Sequence, residues 1–284
     1  MRGGQWQVLR LIEGLCAAGH PNILLSRAGS PLFLEARRRE LDVHAWNPFS
    51  AYRSSQTADI VHAHDARSHT LAALSAARRL VVSRRVAFPV GRGAASRWKY
   101  ARAAHYIAVS AFVRQMLLDA GVDPSKVTVV YDGVTLAPLA HGSQIVAPAS
   151  ADPRKGTSLA IEAAKLAGFP IRLSQALEKD LAAAALFVYV THSEGLGSAV
   201  LLAMAAGVPV IASNVGGLPE IVEHERTGLL TANTTEAIAD AMRRLMTDRV
   251  LAEALAALAR AAIEEKFSAA RMVAETIAVY QTLL

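Results

Sequence analysis

The chain has 284 residues, 52% hydrophobic and 19% charged, with a mean hydropathy of +0.27, which suffices for two sizeable cores and suggests two domains. Its single cysteine, Cys16, excludes an intrachain disulfide and suits a reducing compartment. The net charge of +6 fits an acidic ligand or the anionic inner face of a membrane, whereas no Lys/Arg run interleaved with aromatics points to nucleic acid.

Met1-Arg2-Gly3-Gly4-Gln5 opens polar, without the apolar region of a signal peptide, so a cytoplasmic chain is expected, in peripheral contact with the inner membrane face. A helix is predicted over residues 7–18, with Leu9, Ile12, Leu15 and Cys16 on one face and Gly19 ending it. A strand at 22–26, a helix at 31–39 with an Arg-rich outer face and a short strand at 41–46 follow. Residues 47–56 are polar and proline-marked and read as a loop. Asp59-Ile60-Val61-His62-Ala63-His64-Asp65 is a strand ending in a polar cluster, and its two histidines project to the same side in extended chain. His-x-His at a strand end is also a zinc pattern, but no further ligands stand at a matching spacing, so no metal site is assigned.

A helix at 66–79 and a strand at 80–83 lead into residues 84–99, which carry Arg84, Arg85, Arg92, Arg97 and Lys99 with Phe88 and Trp98. This segment reads either as a membrane-facing patch or as a solvated basic loop and helix face. A strand at 105–109, a helix capped by Ser110 and running to about residue 120, a turn at 121–126 and a strand at 127–131 complete the first half. Residues 135–143, with Pro138 and Gly142, are the linker candidate, which gives domains over residues 1–138 and 139–284.

The second half restarts with a strand at 144–147, then Asp152-Pro153-Arg154-Lys155-Gly156, a helix at 157–167, a strand at 169–174 and a helix at 177–185. Residues 186–190 form a continuous apolar run, as in a buried strand of a parallel sheet. Thr191-His192-Ser193-Glu194-Gly195-Leu196-Gly197-Ser198 turns from that strand into a helix at 198–206, and a second buried strand at 208–213 precedes Gly216-Gly217. Gly195 and Gly197 let backbone approach a ligand, and the helix start presents N–H groups and a positive dipole end. Such a turn fits a nucleotide diphosphate, while Glu194 is suited to accept hydrogen bonds from sugar hydroxyls. The remainder is helical, over residues 233–245, 251–265 and 268–280.

The stretch from Ser193 to Ala199, then Ala203-Met204-Ala205-Ala206-Gly207-Val208-Pro209-Val210, Gly216-Gly217-Leu218-Pro219-Glu220 and Thr227-Gly228-Leu229-Leu230 resembles the donor-binding half of retaining glycosyltransferases of family 4. Fainter matches extend over nearly the whole chain. The resemblance implies an α/β chain of two Rossmann-like domains facing a cleft, the GT-B fold, with a C-terminal crossing helix; both domains look shortened. It implies a metal-independent hexosyltransferase that needs no cofactor beyond its co-substrate, a nucleotide diphosphate sugar, and acts on a cell-surface glycan or lipid-linked acceptor in cell-envelope polysaccharide biosynthesis.

Residue by residue, Gly3-Gly4 match the glycine pair beside the donor phosphates, without the strand that usually precedes it. His64 matches the histidine facing the reacting sugar, and Lys155-Gly156 match the pair that neutralises the diphosphate. Gly195, Leu196, Gly197 and Ser198 match the phosphate-side turn, and Glu194 the first of two glutamates. The resemblance makes residues 84–99 acceptor-side. Two positions and one unit depart from it: Ser150 stands where an arginine is usual, leaving Arg154 as a substitute; Leu202 stands where the second glutamate holds the ribose; and a strand–helix unit between residues 168 and 177 is missing. These departures support a rival reading, a non-catalytic relative that binds a glycan or a partner, and a nucleotide-sugar epimerase on a similar fold is a third.

Overall fold

The computed structural model describes residues 1–284 except Arg2, Ala76 and Arg92, so Arg92 of the basic segment and Arg2 lie outside the described residues. Contacts divide the chain into one unit of Met1–Asp132 with Ala269–Leu284 and another of Gly133–Ser268.

The first unit runs α1 (Gly3–Ala17), β1 (Leu24–Ser26), α2 (Pro31–Arg38), β2 (Val43–Ala45), α3 (Pro48–Thr57), β3 (Val61–Ala63), α4 (Ala66–Leu74), β4 (Leu80–Arg84), α5 (Ala94–Ala101), β5 (His105–Ala108), α6 (Ala111–Asp119) and β6 (Val127–Val129). Strands β1 and β2 form one parallel pair, and β3-β4-β5-β6 form a four-stranded parallel sheet in chain order. Residues 47–56, expected as a loop, are mostly helix α3. Asn47 and Ser50 form a capping box, and Pro48 occupies the first helical position, where its missing N–H and fixed φ cost nothing. Helix α4 stops at Leu74, short of the expected residue 79, and the Arg79 carbonyl instead accepts the Val61 N–H at the head of β3.

The second unit runs β7 (Gln144–Pro148), α7 (Thr157–Ala167), β8 (Ile171–Ser174), α8 (Leu177–Leu181), β9 (Ala184–Tyr189), α9 (Ser198–Ala205), β10 (Val210–Ser213), β11 (Leu229–Thr231), α10 (Thr235–Thr247) and α11 (Arg249–Lys266). Its five strands are all parallel in the order β11-β10-β9-β7-β8. Ile145, Leu186, Val188 and Ile211 share a core with Ala160 and Ala163 of α7 and Ile238 and Met242 of α10. Strands buried this way have no polar face to show, which is why β9 and β10 are continuous apolar runs. The alanine-rich stretch after α8 has helical propensity, yet β9 begins at Ala184. Tertiary pairing overrides propensity here, because the carbonyls of Ala182 and Ala183 accept the N–H groups of His141 and Gln144.

Residues 135–143, expected as the linker, lie along this second unit. The Ala137 N–H donates to Ala205 O at 3.2 Å, the Ala140 N–H to Ala206 O at 2.9 Å, and Arg260 Nη1 to Ala137 O at 2.8 Å. The units therefore part at Asp132/Gly133, where the sequence suggests 138/139. The last helix, α12 (Ala269–Gln281), belongs to the first unit: Met272, Val273 and Val279 share its core with Leu11, Leu15, Val81, Ile107 and Val130. Among the described residues no helix is long and apolar enough to cross a membrane.

Candidate active site

In the second unit the chain leaves β7 toward β8 on one side and returns to β9 on the other. Such a reversal is a switch point, where the loops beyond the strand ends splay apart and leave a crevice for a ligand. The loops after β7 and β9 carry Lys155 and Glu194. The first makes a short 3-10 turn over Pro153–Lys155, begun by Asp152, whose carboxylate accepts the Arg154 N–H. The second loop grips the first: His192 N–H donates to Arg154 O at 2.8 Å, and Thr191 Oγ1 does so at 3.2 Å. Thr191 is itself held, since its N–H donates to Ser213 Oγ at 2.9 Å and its carbonyl accepts from Asn233 Nδ2 at 2.9 Å.

This framework brings Lys155 and Glu194 together. Lys155 Nζ donates to Glu194 Oε2 at 2.7 Å, with the side chains 37% and 17% exposed. Tyr189 joins them from the end of β9: its hydroxyl donates to the same Oε2 and stands 3.4 Å from Lys155 Nζ. Glu194 Oε1 accepts the Gly195 N–H at 3.1 Å, so that amide serves the carboxylate rather than standing ready for a phosphate. Gly197 caps α9, and Ser198 is the first residue of that helix. Leu196 is 2% exposed and belongs to the core. The Gly216-Gly217 loop lies directly on this turn, with the Gly217 N–H donating to Glu194 O at 3.1 Å.

The Arg154 guanidinium grips Asp152 through both Nε and Nη2 in an exposed pair. Ser150 spends its hydroxyl accepting the Asp152 N–H at 3.2 Å, which shapes the turn without adding charge. Leu202 is half-buried on α9.

The first unit holds a second polar cluster. His62 Nδ1 pairs with Tyr280 OH at 2.6 Å and Nε2 with Ser83 Oγ at 2.8 Å, joining β3, β4 and α12. The His64 ring lies over His62 with centroids 4.0 Å apart, as their alternation along the strand predicts, and His64 Nδ1 is buried without a hydrogen-bond partner. Arg85 is ion-paired with the buried Asp132, and Gly4 at the start of α1 lies beside the Arg85 side chain. Burial holds the His62 pKa down at about 3, with the Arg85 charge adding to the effect. Burial, His62 and Arg85 hold His64 well below the usual imidazole range.

Both rings are therefore neutral in the fold near pH 7, whereas a histidine of the unfolded chain takes a proton near its ordinary 6.5. The unfolded state then binds more protons below that pH, so stability falls as pH drops from 6.5 toward about 3. Each ring contributes at most about 1.4 kcal/mol per pH unit within this window. Urea midpoints should fall between pH 7 and pH 5, and His62→Gln should flatten the slope; an equal slope in that variant would assign the pH dependence elsewhere.

Sequence reasoning missed Tyr189 and Thr191 in the second unit, and Ser83, Asp132 and Tyr280 in the first. It also placed Arg84 and Arg85 in a basic patch, but Arg84 donates to Tyr100 OH at 2.7 Å and to Phe88 O, and Arg85 serves Asp132. Among the described residues of that patch, Arg97, Phe88 and Trp98 are exposed, and Lys99 is half-buried. Among the described residues no three His, Cys, Asp or Glu side chains are grouped to hold a metal ion.

Comparison with known proteins agrees with this layout. Residues 1–138 match the family described as Glycosyltransferase Family 4, and residues 135–248 match Glycosyl transferases group 1. A GDP-mannose-dependent alpha-(1-6)-phosphatidylinositol monomannoside mannosyltransferase of Mycobacterium tuberculosis is 50% identical over 68 residues, 24% of this chain and 18% of that protein. The N-acetyl-alpha-D-glucosaminyl L-malate synthase of Bacillus anthracis is 33% identical over 105 residues, 37% of this chain and 28% of that protein. These matches thus span less than a third of each relative. Among solved structures, Anabaena HepE in complex with UDP and glucose superposes with a TM-score of 0.85 at 16% identity, covering 99% of this chain and 96% of that one. A glycosyltransferase of Rickettsia africae superposes at 0.79 and 19% identity, covering 98% and 94%. The structural likeness establishes the GT-B fold, and with two adjoining family matches over residues 1–248, this chain belongs to the group 1 glycosyltransferases of family 4.

Proposed function

We propose that the chain transfers a hexose from a nucleotide diphosphate sugar to a hydroxyl of a cell-surface glycan or lipid-linked acceptor, with retention at the anomeric carbon and without a metal ion. The observation that carries this reading is the meeting of Lys155 and Glu194 at the switch point between β7 and β9. A cation and a carboxylate at one strand-end crevice suit the two halves of such a donor, phosphates on one side and sugar hydroxyls on the other. The complexes of HepE with UDP and glucose and the mannosyltransferase named above support it by likeness.

In this reading Lys155 and the N–H groups at the start of α9 stabilise the diphosphate as the bond from the anomeric carbon to its oxygen breaks. Arg154 joins them by exchanging its exposed Asp152 partner for a phosphate oxygen. The acceptor oxygen attacks the same face, and its proton passes to the departing diphosphate oxygen. Glu194 orients the sugar by accepting from its hydroxyls. Catalysis is then mainly positioning and charge stabilisation. Phe88, Trp98 and Arg97, exposed on the first unit, are assigned to peripheral contact with an anionic membrane on its cytoplasmic side, where a lipid-linked acceptor would be met.

A second reading has its own observation. Leu202 stands where the resemblance places a ribose-holding carboxylate, and leucine cannot accept those hydrogen bonds; a non-catalytic glycan- or partner-binding relative would tolerate it. Calorimetric titration with UDP, GDP and ADP in EDTA, beside donor-turnover assays, separates the two. Wild type binding one of the three, with tighter binding in Leu202→Glu, supports the transferase. Absence of binding and of turnover in the wild type, with binding gained in Leu202→Glu, would replace it with the binding module.

A further inference from the structure

We propose that Tyr189 is a positioning residue for the donor sugar: its hydroxyl holds the Glu194 carboxylate in place when Lys155 leaves that carboxylate for the donor diphosphate. The proposal rests on the transferase reading above and assigns a role to a side chain that pattern alone places in the core.

Two donors converge on Glu194 Oε2, Lys155 Nζ at 2.7 Å and the Tyr189 hydroxyl, and they differ in kind. Lys155 is a long, partly exposed side chain on a loop. Tyr189 is 8% exposed, anchored on β9, with its ring stacked against Phe187 at 6.1 Å and an interplanar angle of 21°. A diphosphate carries more negative charge than one carboxylate and competes for the mobile ammonium. As Lys155 turns to it, Glu194 loses its cationic partner while remaining largely buried. A buried charge needs a donor in its place. Tyr189 and the Gly195 N–H are the donors that stay, one on each carboxylate oxygen, and together they fix the plane of the carboxylate that the sugar hydroxyls address. Burial and the Glu194 charge push the Tyr189 hydroxyl well above its ordinary pKa, so it remains protonated and can only donate to that carboxylate.

The test is a double-mutant cycle with Tyr189→Phe and Glu194→Gln, titrated with UDP, GDP, UDP-glucose and GDP-mannose and assayed for turnover of the pair that binds. Tyr189→Phe removes one oxygen and keeps the ring. The expected result is affinity for the nucleoside diphosphate within about 2-fold of wild type, with turnover of the nucleotide sugar lowered about 10-fold. In the Glu194→Gln background the same change should add nothing, because the tyrosine acts through the carboxylate. Equal loss for nucleotide and nucleotide sugar would make Tyr189 a pocket wall and overturn the proposal, as would an undiminished effect of Tyr189→Phe in the Glu194→Gln background. A Tyr189→Phe chain that fails to fold would assign it a structural role instead. A wild type that binds none of the four ligands overturns the donor-site reading itself, and this proposal with it.

Discussion

Replacing Lys155 by alanine is expected to lower affinity for the bound nucleoside diphosphate about 10- to 100-fold while changing the unfolding free energy by less than about 1 kcal/mol. The two numbers separate because, on the proposed reading, Lys155 does two unequal jobs. Its ion pair with Glu194 is more than a third exposed on the lysine side, and pairs of that kind contribute little to stability. Removing the lysine also leaves Glu194 with the Tyr189 hydroxyl and the Gly195 N–H, so the carboxylate is not stranded. Against a diphosphate the same ammonium makes a charge-assisted bond worth about 1.5–3 kcal/mol, and alanine offers nothing in return. Calorimetry in EDTA and urea unfolding read the two quantities independently. Unchanged nucleotide affinity would move the phosphates away from Lys155. A stability loss of several kcal/mol would make the pair a structural element and leave the affinity change uninterpretable as contact with the ligand.

The parts of this site visible in the sequence are those that local pattern specifies. Strands β9 and β10 are apolar because both faces are covered, and the glycines after them mark turns, so the second unit's sheet and its Glu194 loop can be read directly. Lys155 is singled out by the resemblance of the Lys-Gly pair at the head of α7 to that of the family. What local pattern cannot supply is the use of a side chain by distant chain. Tyr189 lies in an apolar run and reads as core, and its role depends on Lys155, 34 residues away in sequence, arriving at its hydroxyl. The His62–Tyr280 bond spans 218 residues and the Arg85–Asp132 pair 47, so the histidine cluster of the first unit is closed by partners that no motif near His62 announces. Helix α3 was obscured differently: its proline and asparagine serve equally as loop marks and as a helix start, and the capping box decides between them only in three dimensions.

Gly216→Ala should be the most damaging single-atom change near the site, destabilising the chain by about 2–5 kcal/mol and weakening nucleotide binding together with it. Gly216 has φ of 58°, a left-handed conformation that costs an alanine about 1–2 kcal/mol. A Cβ at this position also falls on the Glu194 carbonyl oxygen, with the Glu194 carbonyl carbon only 3.1 Å away, and backbone cannot turn aside as a side chain can. Forcing the two loops apart adds about 1–3 kcal/mol. The displaced stretch of chain is the one that aims Glu194 at Lys155, so the strain is delivered to the site. Gly19 supplies the control, because its φ is 78° and nothing lies within 4 Å of a Cβ built there. Gly19→Ala should therefore show the conformational cost alone, about 1–2 kcal/mol, and no change in nucleotide affinity. If urea unfolding finds Gly216→Ala no worse than Gly19→Ala, the loops yield without resistance and the Gly216-Gly217 contact does not hold Glu194 in position. If the larger loss appears and affinity falls with it, the loop after β10 is a structural support of the proposed donor site.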